Sequence, residues 1–407
     1  MSWPWQLPDG WRWTEWEAVA RVASNLVEPE DYRAMPHIAP NHIEAHTGRL
    51  LPYRTVGDDE VVSAKHRFRP GQILYSKIRP YLGKVVLVDF DGLCSADMYP
   101  VDTELEPRYL KWWMLTPEFT RRASGQQART VLPKINKRAL GRLPVPVAQP
   151  GDQERIVEIL DDHLSRLDAA ADYLRAAERR LDTFVTATLM NLIPDVDDYP
   201  AKWERSCVGD AGVVELGRQR HPDWHSGPNM KPYLRVANVF EDRIDTRDVM
   251  EMHWPAETFD RFKLHVGDVL LNEGQTPELL GRPALYRGEP AEVAFTNSLL
   301  RFVASDRVLP EFALLVFRRH MRAGRFKRES RITTNIAHLS ASRLKPIEFP
   351  IPDLAEQAAI VASAQRSFEA VERQRAQLAI AKLRREQLRK SMLSAAFSGH
   401  LTGSRLS

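Results

Sequence analysis

Two stretches of this 407-residue chain concentrate side chains able to bind a polyanion. Residues 115–145 hold Arg121, Arg122, Arg129, Lys134, Lys137, Arg138 and Arg142, opposed only by Glu118. Residues 318–345 hold Arg318, Arg319, Arg322, Arg325, Lys327, Arg328, Arg331, Arg343 and Lys345, opposed only by Glu329. Amides and hydroxyls lie among the charges: Gln126, Gln127 and Thr130 in the first run, Thr333, Thr334 and Asn335 in the second. Lys and Arg neutralise phosphates, while Gln, Asn, Arg, Ser and Thr can hydrogen-bond to base edges. One such run reads as a solvated helix face. Two runs at the same place in a duplicated unit point to DNA.

A second polar cluster follows a strand-like run in each half. In the first half it is Ser76-Lys77-Ile78-Arg79-Pro80-Tyr81, with Lys84 just beyond. In the second half it is Asn272-Glu273-Gly274-Gln275-Thr276, with Arg282 beyond. The flanking framework matches while the tips differ, as a reader of two unlike half-sites requires; the bland alternative is loop drift. Arg235, in the segment PYLRVANV, completes the candidate DNA-binding set.

Chemistry beyond binding has no support in the residues. There is no GxxxxGK[ST] phosphate loop, no GxGxxG after a strand, no HExxH and no paired-Cys site. An Asn-Pro-Pro-aromatic segment, expected of an adenine-amino methyltransferase, is also missing. Cys94 and Cys207 are isolated and lack a close His, which fits a reducing compartment better than a zinc site. Asp89 and Asp91 near Lys84 could be imagined as a nuclease cluster, but DFDG reads more simply as a turn at a strand end. The expectation is therefore a binding protein with no catalytic or metal-ligating residue. Its formal charge of +3 and pI of about 8.8 are too mild to establish nucleic-acid binding on their own.

The elements that must carry these clusters are organised by an internal repeat. LGRLPVPVAQPGDQERIVEIL and LKPIEFPIPDLAEQAAIVASA align with Gln153 facing Gln357, Pro146 facing Pro350, and Ile156-Val157 facing Ile360-Val361. Upstream, FRPGQILYS matches LHVGDVLLN, with Gly71 facing Gly267; HIAPNHI matches YLRVANV; Pro8 and Trp11 face Pro200 and Trp203. The matches keep the same order, so the chain holds two domain-sized modules rather than a solenoid. QILYSKI, KVVLVDF, DVLLN and LLRFVAS read as strands of an α+β module. Each module ends in a Pro-rich connector and then a long helical pattern, over about residues 152–192 and 353–397.

In the first helix Leu160, Leu167, Leu174 and Leu181 recur every seventh residue. Val157, Leu164, Ala171, Val185 and Leu192 form a second row that Glu178 interrupts. The second helix is less regular, with Val361, Ala364, Phe368, Val371, Leu378, Leu388 and Met392; Gly399 is a natural stop. The first carries nine acidic residues against five Arg, the second eight basic residues against five acidic, so the two helices are expected to pair with each other. The domain boundaries expected are 1–150, 151–193, 194–352 and 353–407. No apolar run approaches the ~18 residues needed to cross a bilayer. The opening MSWPWQLPDGWRWTEW has no basic or apolar signal-peptide region, so a cytoplasmic location without a membrane partner is expected.

Several segments carry a resemblance. GQILYSKIRPYLGKVV followed by CSADMYPV, and PYLRVANV followed by GDVLLNEGQTPELLGRPALY, resemble two types of target recognition domain. QERIVEILDDHLSRLD after the connector, and LRKSMLSAAFSGHLTG near the end, resemble the central and C-terminal helices of the specificity subunit of type I restriction-modification enzymes. The resemblance implies two target recognition domains joined by two long helices that form an antiparallel coiled coil. Each domain would read one half of an asymmetric, bipartite site in double-stranded DNA. The chain itself would be non-catalytic. Two modification (methyltransferase) subunits would methylate adenine at N6, and a restriction motor-nuclease subunit would join them. S-adenosylmethionine, ATP and Mg would belong to those partners, with no cofactor in this chain. The alternatives are a stand-alone DNA-binding regulator with a coiled-coil core and a pure assembly scaffold.

Overall fold

The computed structural model describes residues 3–125, 133–333 and 336–401, with the side chains of 331–333 outside the description. The chain divides into two compact units: Met1–Arg175 with Ala379–Ser407, and Ala176–Leu378. Both mix sheet and helix.

The first unit is built on a four-stranded antiparallel sheet in the order Ala20–Val22, Met98–Thr103, Ile73–Ser76, Val85–Leu87. Its strands are short and rich in β-branched and aromatic residues, as a half-buried pleated surface favours. One face meets the amphipathic helix Pro107–Met114, opened by Pro107, which buries Tyr109, Leu110, Trp112 and Trp113. Trp113 lies 5.3 Å from Phe397 and 6.2 Å from Trp5, ring to ring, and Tyr109 lies 5.1 Å from Phe397. The end of the chain's second long helix is therefore part of this core. Burying a Phe side chain such as that of Phe397 contributes about 1.5–3 kcal/mol. A smaller five-stranded sheet holds the parallel pair Pro36–Ile38 and Gly92–Cys94.

The second unit repeats the plan. Its four-stranded sheet runs Gly212–Leu216, Leu299–Ala304, Val269–Asn272, Pro283–Leu285, again antiparallel throughout. The helix Pro310–Arg322 covers it, around Phe302, Phe312, Phe317 and Phe349. The parallel pair recurs as Met230–Leu234 with Ala294–Phe295. The duplication read from the sequence is thus a duplication of topology.

The Pro-rich connectors are strands rather than free linkers. Pro144–Val147 pairs antiparallel with Arg12–Glu15, and Glu348–Ile351 with Glu204–Cys207. Among the described residues each of these sheets has two strands, and Pro144 and Pro146 lie two residues apart. Their missing N–H groups fall on the side away from the partner strand, where proline is tolerated.

The long helices span Pro150–Leu192 and Leu354–Phe397, close to expectation. Within the first unit Arg389 Nη1 lies 2.7 Å from Asp168 Oδ1. Within the second, Arg375 lies 3.8 Å from Asp182. Numbers rise along one helix as they fall along the other, so the pairing is antiparallel. Val157, Leu160, Leu164, Ala171 and Val185 are buried as the heptads require. Leu388 corrects the pattern: it is 50% exposed, and Leu393, Ala396 and Phe397 turn inward instead. The irregular spacing moves the buried stripe off the strict repeat where the helix meets the Trp113 core. Among the described residues no helix is long and apolar enough to cross a membrane.

Candidate nucleic-acid interface

In the first unit the strand Ile73–Ser76 delivers the polar tip. Ser76 is buried and its Oγ donates to Ile78 O at 3.0 Å, turning the chain. Ile78 forms a bridge with Lys134, Ile135 N donates to Lys77 O at 2.9 Å, and Arg79 N donates to Pro133 O at 2.8 Å. Two clusters far apart in sequence, the tip and the end of the first basic run, thereby share one surface.

On that surface Lys134 Nζ donates to Asp97 at 3.1 Å, and Lys77 Nζ donates to Ala96 O at 2.6 Å while lying 4.0 Å from the same Asp97. Lys137 Nζ reaches Ser24 Oγ at 2.5 Å. Arg79 sits in the left-handed region at φ 47° with its side chain exposed, beside the exposed ring of Tyr81. Lys84 Nζ is tied to Pro40 O at 2.6 Å; burial and then the charge of Arg79 lower its pKa. His66 is lowered by burial and then by Lys77 and Lys137. The single carboxylate of Asp97 faces two ammonium groups, so the surface carries excess positive charge suited to phosphates. Arg121 and Arg122 instead fold back on Glu118, at 2.8 and 2.5 Å. Gln126, Gln127 and Arg129 lie outside the described residues.

The second unit repeats the juxtaposition with more strand. Gly274–Gln275 pairs with Ile336–His338, which pairs with Arg331–Thr333. The tip again meets the end of the basic run. Gln275 is half-buried, its Oε1 accepting from Thr276 N at 3.0 Å. Asn272 is fully buried at the strand end, with Nδ2 3.5 Å from Val239 O, so its side chain faces the interior. Arg282 stacks 4.6 Å from the Phe240 ring, and burial lowers its pKa. The side chains of Arg331 and Thr333, and all of Asn335, lie outside the described residues.

Many cations of this second run are committed inside the chain. Arg318 Nε and Arg322 Nε donate to Glu241 at 2.9 and 2.8 Å, and Arg322 also holds Asp182 at 3.0 Å. The buried Arg319 pairs with Asp195. Arg325 binds Glu348 at 2.8 Å and Glu329 at 2.6 Å. Arg235 pairs with Asp248 at 2.5 Å. Lys327 meets Glu278 at 3.3 Å but stays exposed, as does Arg328. Groups held this way orient the loops, and the exposed ones are available to a ligand.

Sequence reasoning passed over residues 217–229. Leu216 pairs with Leu300 and Asn272 with Leu299, so this loop leaves the sheet at the same end as the polar tip. Arg218 lies between Trp224 and Trp254, its guanidinium 3.7 and 4.8 Å from the ring centres. Arg220, His221 and His225 are exposed beside it. The alternation of Arg, His and Trp in GRQRHPDWH was the available signal, and its short length kept it from standing out beside the longer basic runs.

No protein-family model matches the chain. In sequence it is 40% identical, over 223 residues, to the type I restriction enzyme EcoDI specificity subunit of Escherichia coli. It is 21% identical over 323 residues to the StySPI specificity subunit of Salmonella potsdam. The chain is thus similar in sequence to type I restriction specificity subunits. The first match covers 55% of this chain and 47% of the EcoDI subunit, so less than half of that relative is spanned; the second covers 77% and 69%. In fold, it matches a chain from a study of complex assembly and conformational transition of the type I R-M system. That match has a TM-score of 0.74 at 17% identity and covers 97% of this chain and all of the other. The fold is therefore that of a type I system chain, with two mixed helix-and-sheet modules and paired long helices.

Proposed function

We propose that the chain is the DNA sequence-specificity subunit of a type I restriction-modification complex, and that each unit reads one half of a bipartite, asymmetric site. One observation carries the reading. Both units bear the same sheet, and at the same sheet end each presents a polar tip against the end of a basic run, while the tips themselves differ. Such an arrangement suits two readers with a common scaffold and different half-sites.

In this reading Lys134, Lys137, Lys327 and Arg328 hold phosphates and set register, while Arg79, Tyr81, Gln275 and the loop around Arg220 meet base edges. Arg322, Arg325, Arg235 and Asn272 position those loops from inside. Double-stranded DNA, two modification subunits and a restriction motor-nuclease subunit are the partners. S-adenosylmethionine, ATP and Mg are supplied by those subunits, and the chain performs no chemistry itself.

The test is methylome sequencing of cells expressing the modification subunits with and without this chain. Adenine-N6 methylation at a single bipartite motif, dependent on the chain, is the expected result. Methyl transfer by the purified chain alone, or no motif at all with active partners, would overturn the reading.

A further inference from the structure

The first unit contains a cleft of about 610 Å³ that shares with the DNA reading only Tyr81, at its mouth. It lies among the loop after Ile43, Tyr81, the helix Pro117–Gly125 and the part of the second long helix that belongs to this unit. Comparing the two units shows what the cleft lacks.

In each unit a 3-10 turn, Pro40–His42 or Val236–Asn238, leads to a residue in the left-handed region: His46 at φ 60° and Asp242 at φ 54°. Ala45 therefore stands where the second unit has Glu241. Counted from the helix-opening Pro107 and Pro310, Leu115 stands where the second unit has Arg318. In the second unit the Glu241 carboxylate accepts from Arg318 and Arg322, and Arg322 also reaches Asp182 and Thr186. The first unit has neither that carboxylate nor the Arg318 guanidinium that it holds.

One wall of the cleft carries cations from the second long helix. Arg385 Nε is buried with no hydrogen-bond partner, and Lys390 is exposed beside it. Neighbouring Arg389 is held by Asp168 and by the carbonyls of His46 and Thr47. Burial lowers the pKa of Arg389, with Arg385 adding to the effect; burial and then Lys390 lower that of His46. Two carboxylates line the rim: Glu44, which pairs with Arg175 at 3.6 Å, and Glu386. The floor is apolar, with Ala45, Leu115 and Leu393, and the exposed ring of Tyr81 stands at the mouth. One cationic wall, Arg385 with Lys390, over an apolar floor at this volume suits a ligand with an anionic end and a flat ring.

We propose that this cleft binds a nucleotide, its phosphate on Arg385 and Lys390 and its base on the Leu115–Leu393 floor beside Tyr81. The source is either a free mononucleotide or a nucleotide of a DNA strand.

The test is calorimetric titration of the full chain with deoxyadenosine monophosphate, with inorganic phosphate as the anion-only probe. One site is expected, at least tenfold tighter for the nucleotide than for phosphate. Arg385→Ala with Lys390→Ala should weaken it at least tenfold. Ala45→Glu, which restores the internal carboxylate of the second unit, should abolish binding while thermal stability is kept or raised. A single-stranded oligonucleotide that competes for the site, and loses affinity in Ala45→Glu, identifies DNA as the source; failure to compete identifies the free nucleotide. No binding to the folded chain at millimolar nucleotide, phosphate binding as tight as nucleotide, or undiminished binding in Ala45→Glu would each overturn the proposal.

Discussion

Glu241 is the carboxylate on which the second unit's charged network turns, and removing it gives a measurable consequence. It accepts from Arg318 Nε at 2.9 Å and from Arg322 Nε and Nη2 at 2.8 and 2.7 Å. All three side chains are at least four-fifths buried. Breaking a buried pair by removing one partner costs about 3–5 kcal/mol, because a charge is left desolvated and unpaired. Here Arg322 keeps Asp182 and the Thr186 hydroxyl at 3.0 and 2.9 Å, and Arg318 keeps Asp242 at 3.4 Å. The cost of Glu241→Ala should therefore be reduced to about 2–3 kcal/mol. For a unit of this size that corresponds to a melting point lower by roughly 5–10 °C. Scanning calorimetry of the full chain, with limited proteolysis to assign the transition, measures it. Adding Arg318→Leu to Glu241→Ala reproduces the Ala45 and Leu115 pair of the first unit and should restore at least half of the loss, since it removes the Arg318 charge that the single variant strands while Arg322 keeps Asp182. If the double variant is as unstable as the single one, the equivalence of the two sites is wrong. The effect also has a pH signature. Burial would raise the pKa of Glu241, but hydrogen bonds and charge from Arg322 and Arg318 hold it below 4.5. Its stabilisation is thus complete above 4.5 and is lost as pH falls through the lower folded value.

Lys134→Ala or Lys137→Ala should weaken DNA binding by the assembled complex on all sequences alike and reduce the salt slope by about one contact each. Gel shifts over a salt series measure this. Arg79→Ala or Gln275→Ala should change which base is preferred at one position, at a cost of about 1–3 kcal/mol, and a sequence-blind loss would contradict the division of roles. Arg325→Ala, whose guanidinium is held by Glu348 and Glu329, should instead lower the melting point of the second unit without reducing the salt slope. Replacing residues 176–378 by the corresponding unit of a related subunit should change only one half of the methylated motif, read by methylome sequencing. His320 is fully buried, and burial drives its pKa well below 6.5. Below 6.5 the unfolded chain therefore binds a proton that the folded chain does not. Stability should fall as pH drops from 6.5, and His320→Gln should flatten that slope in urea titrations.

The parts of this structure legible in the sequence are those set by periodicity and identity. Gln153 facing Gln357 revealed the duplication, and the heptad rows of the first helix, with the repeat and the Gly399 stop for the second, placed both long helices to within a few residues of Pro150–Leu192 and Leu354–Phe397. What stayed hidden depended on partners distant in sequence. Arg322 and Arg325 read as free charge because Glu241 and Glu348, which hold them, lie outside the basic run. Asn272 read as a tip residue because its type is polar, yet the last position of its strand is interior. The strands inside the Pro-rich connectors stayed hidden because proline usually breaks a strand, and the two-stranded pairing explains why it is tolerated here.

The paired glutamines show why the scaffold could persist while its contents diverged. Gln153 Oε1 accepts from Glu106 N at 3.1 Å, and its Nε2 donates to Ala148 O at 2.9 Å. Gln357 Oε1 accepts from Leu309 N at 2.8 Å, and its Nε2 donates to Pro352 O at 2.8 Å. Both are buried, and each joins the residue before a module helix to the connector preceding a long helix. Glutamate would lose the donor and leucine would lose both bonds, leaving an orphaned backbone N–H and C=O at about 1–3 kcal/mol each. An amide of this length is the side chain that meets both demands, so the link is the same in both copies. Side chains under no such paired demand have changed: Glu241 against Ala45, Arg318 against Leu115, and one polar tip against the other. At the two glutamines, the cost of an unmet hydrogen bond accounts for the agreement. Where they differ at equivalent positions, the difference marks surfaces free to acquire separate ligands, and both the polar tips and the first unit's cleft lie at such positions.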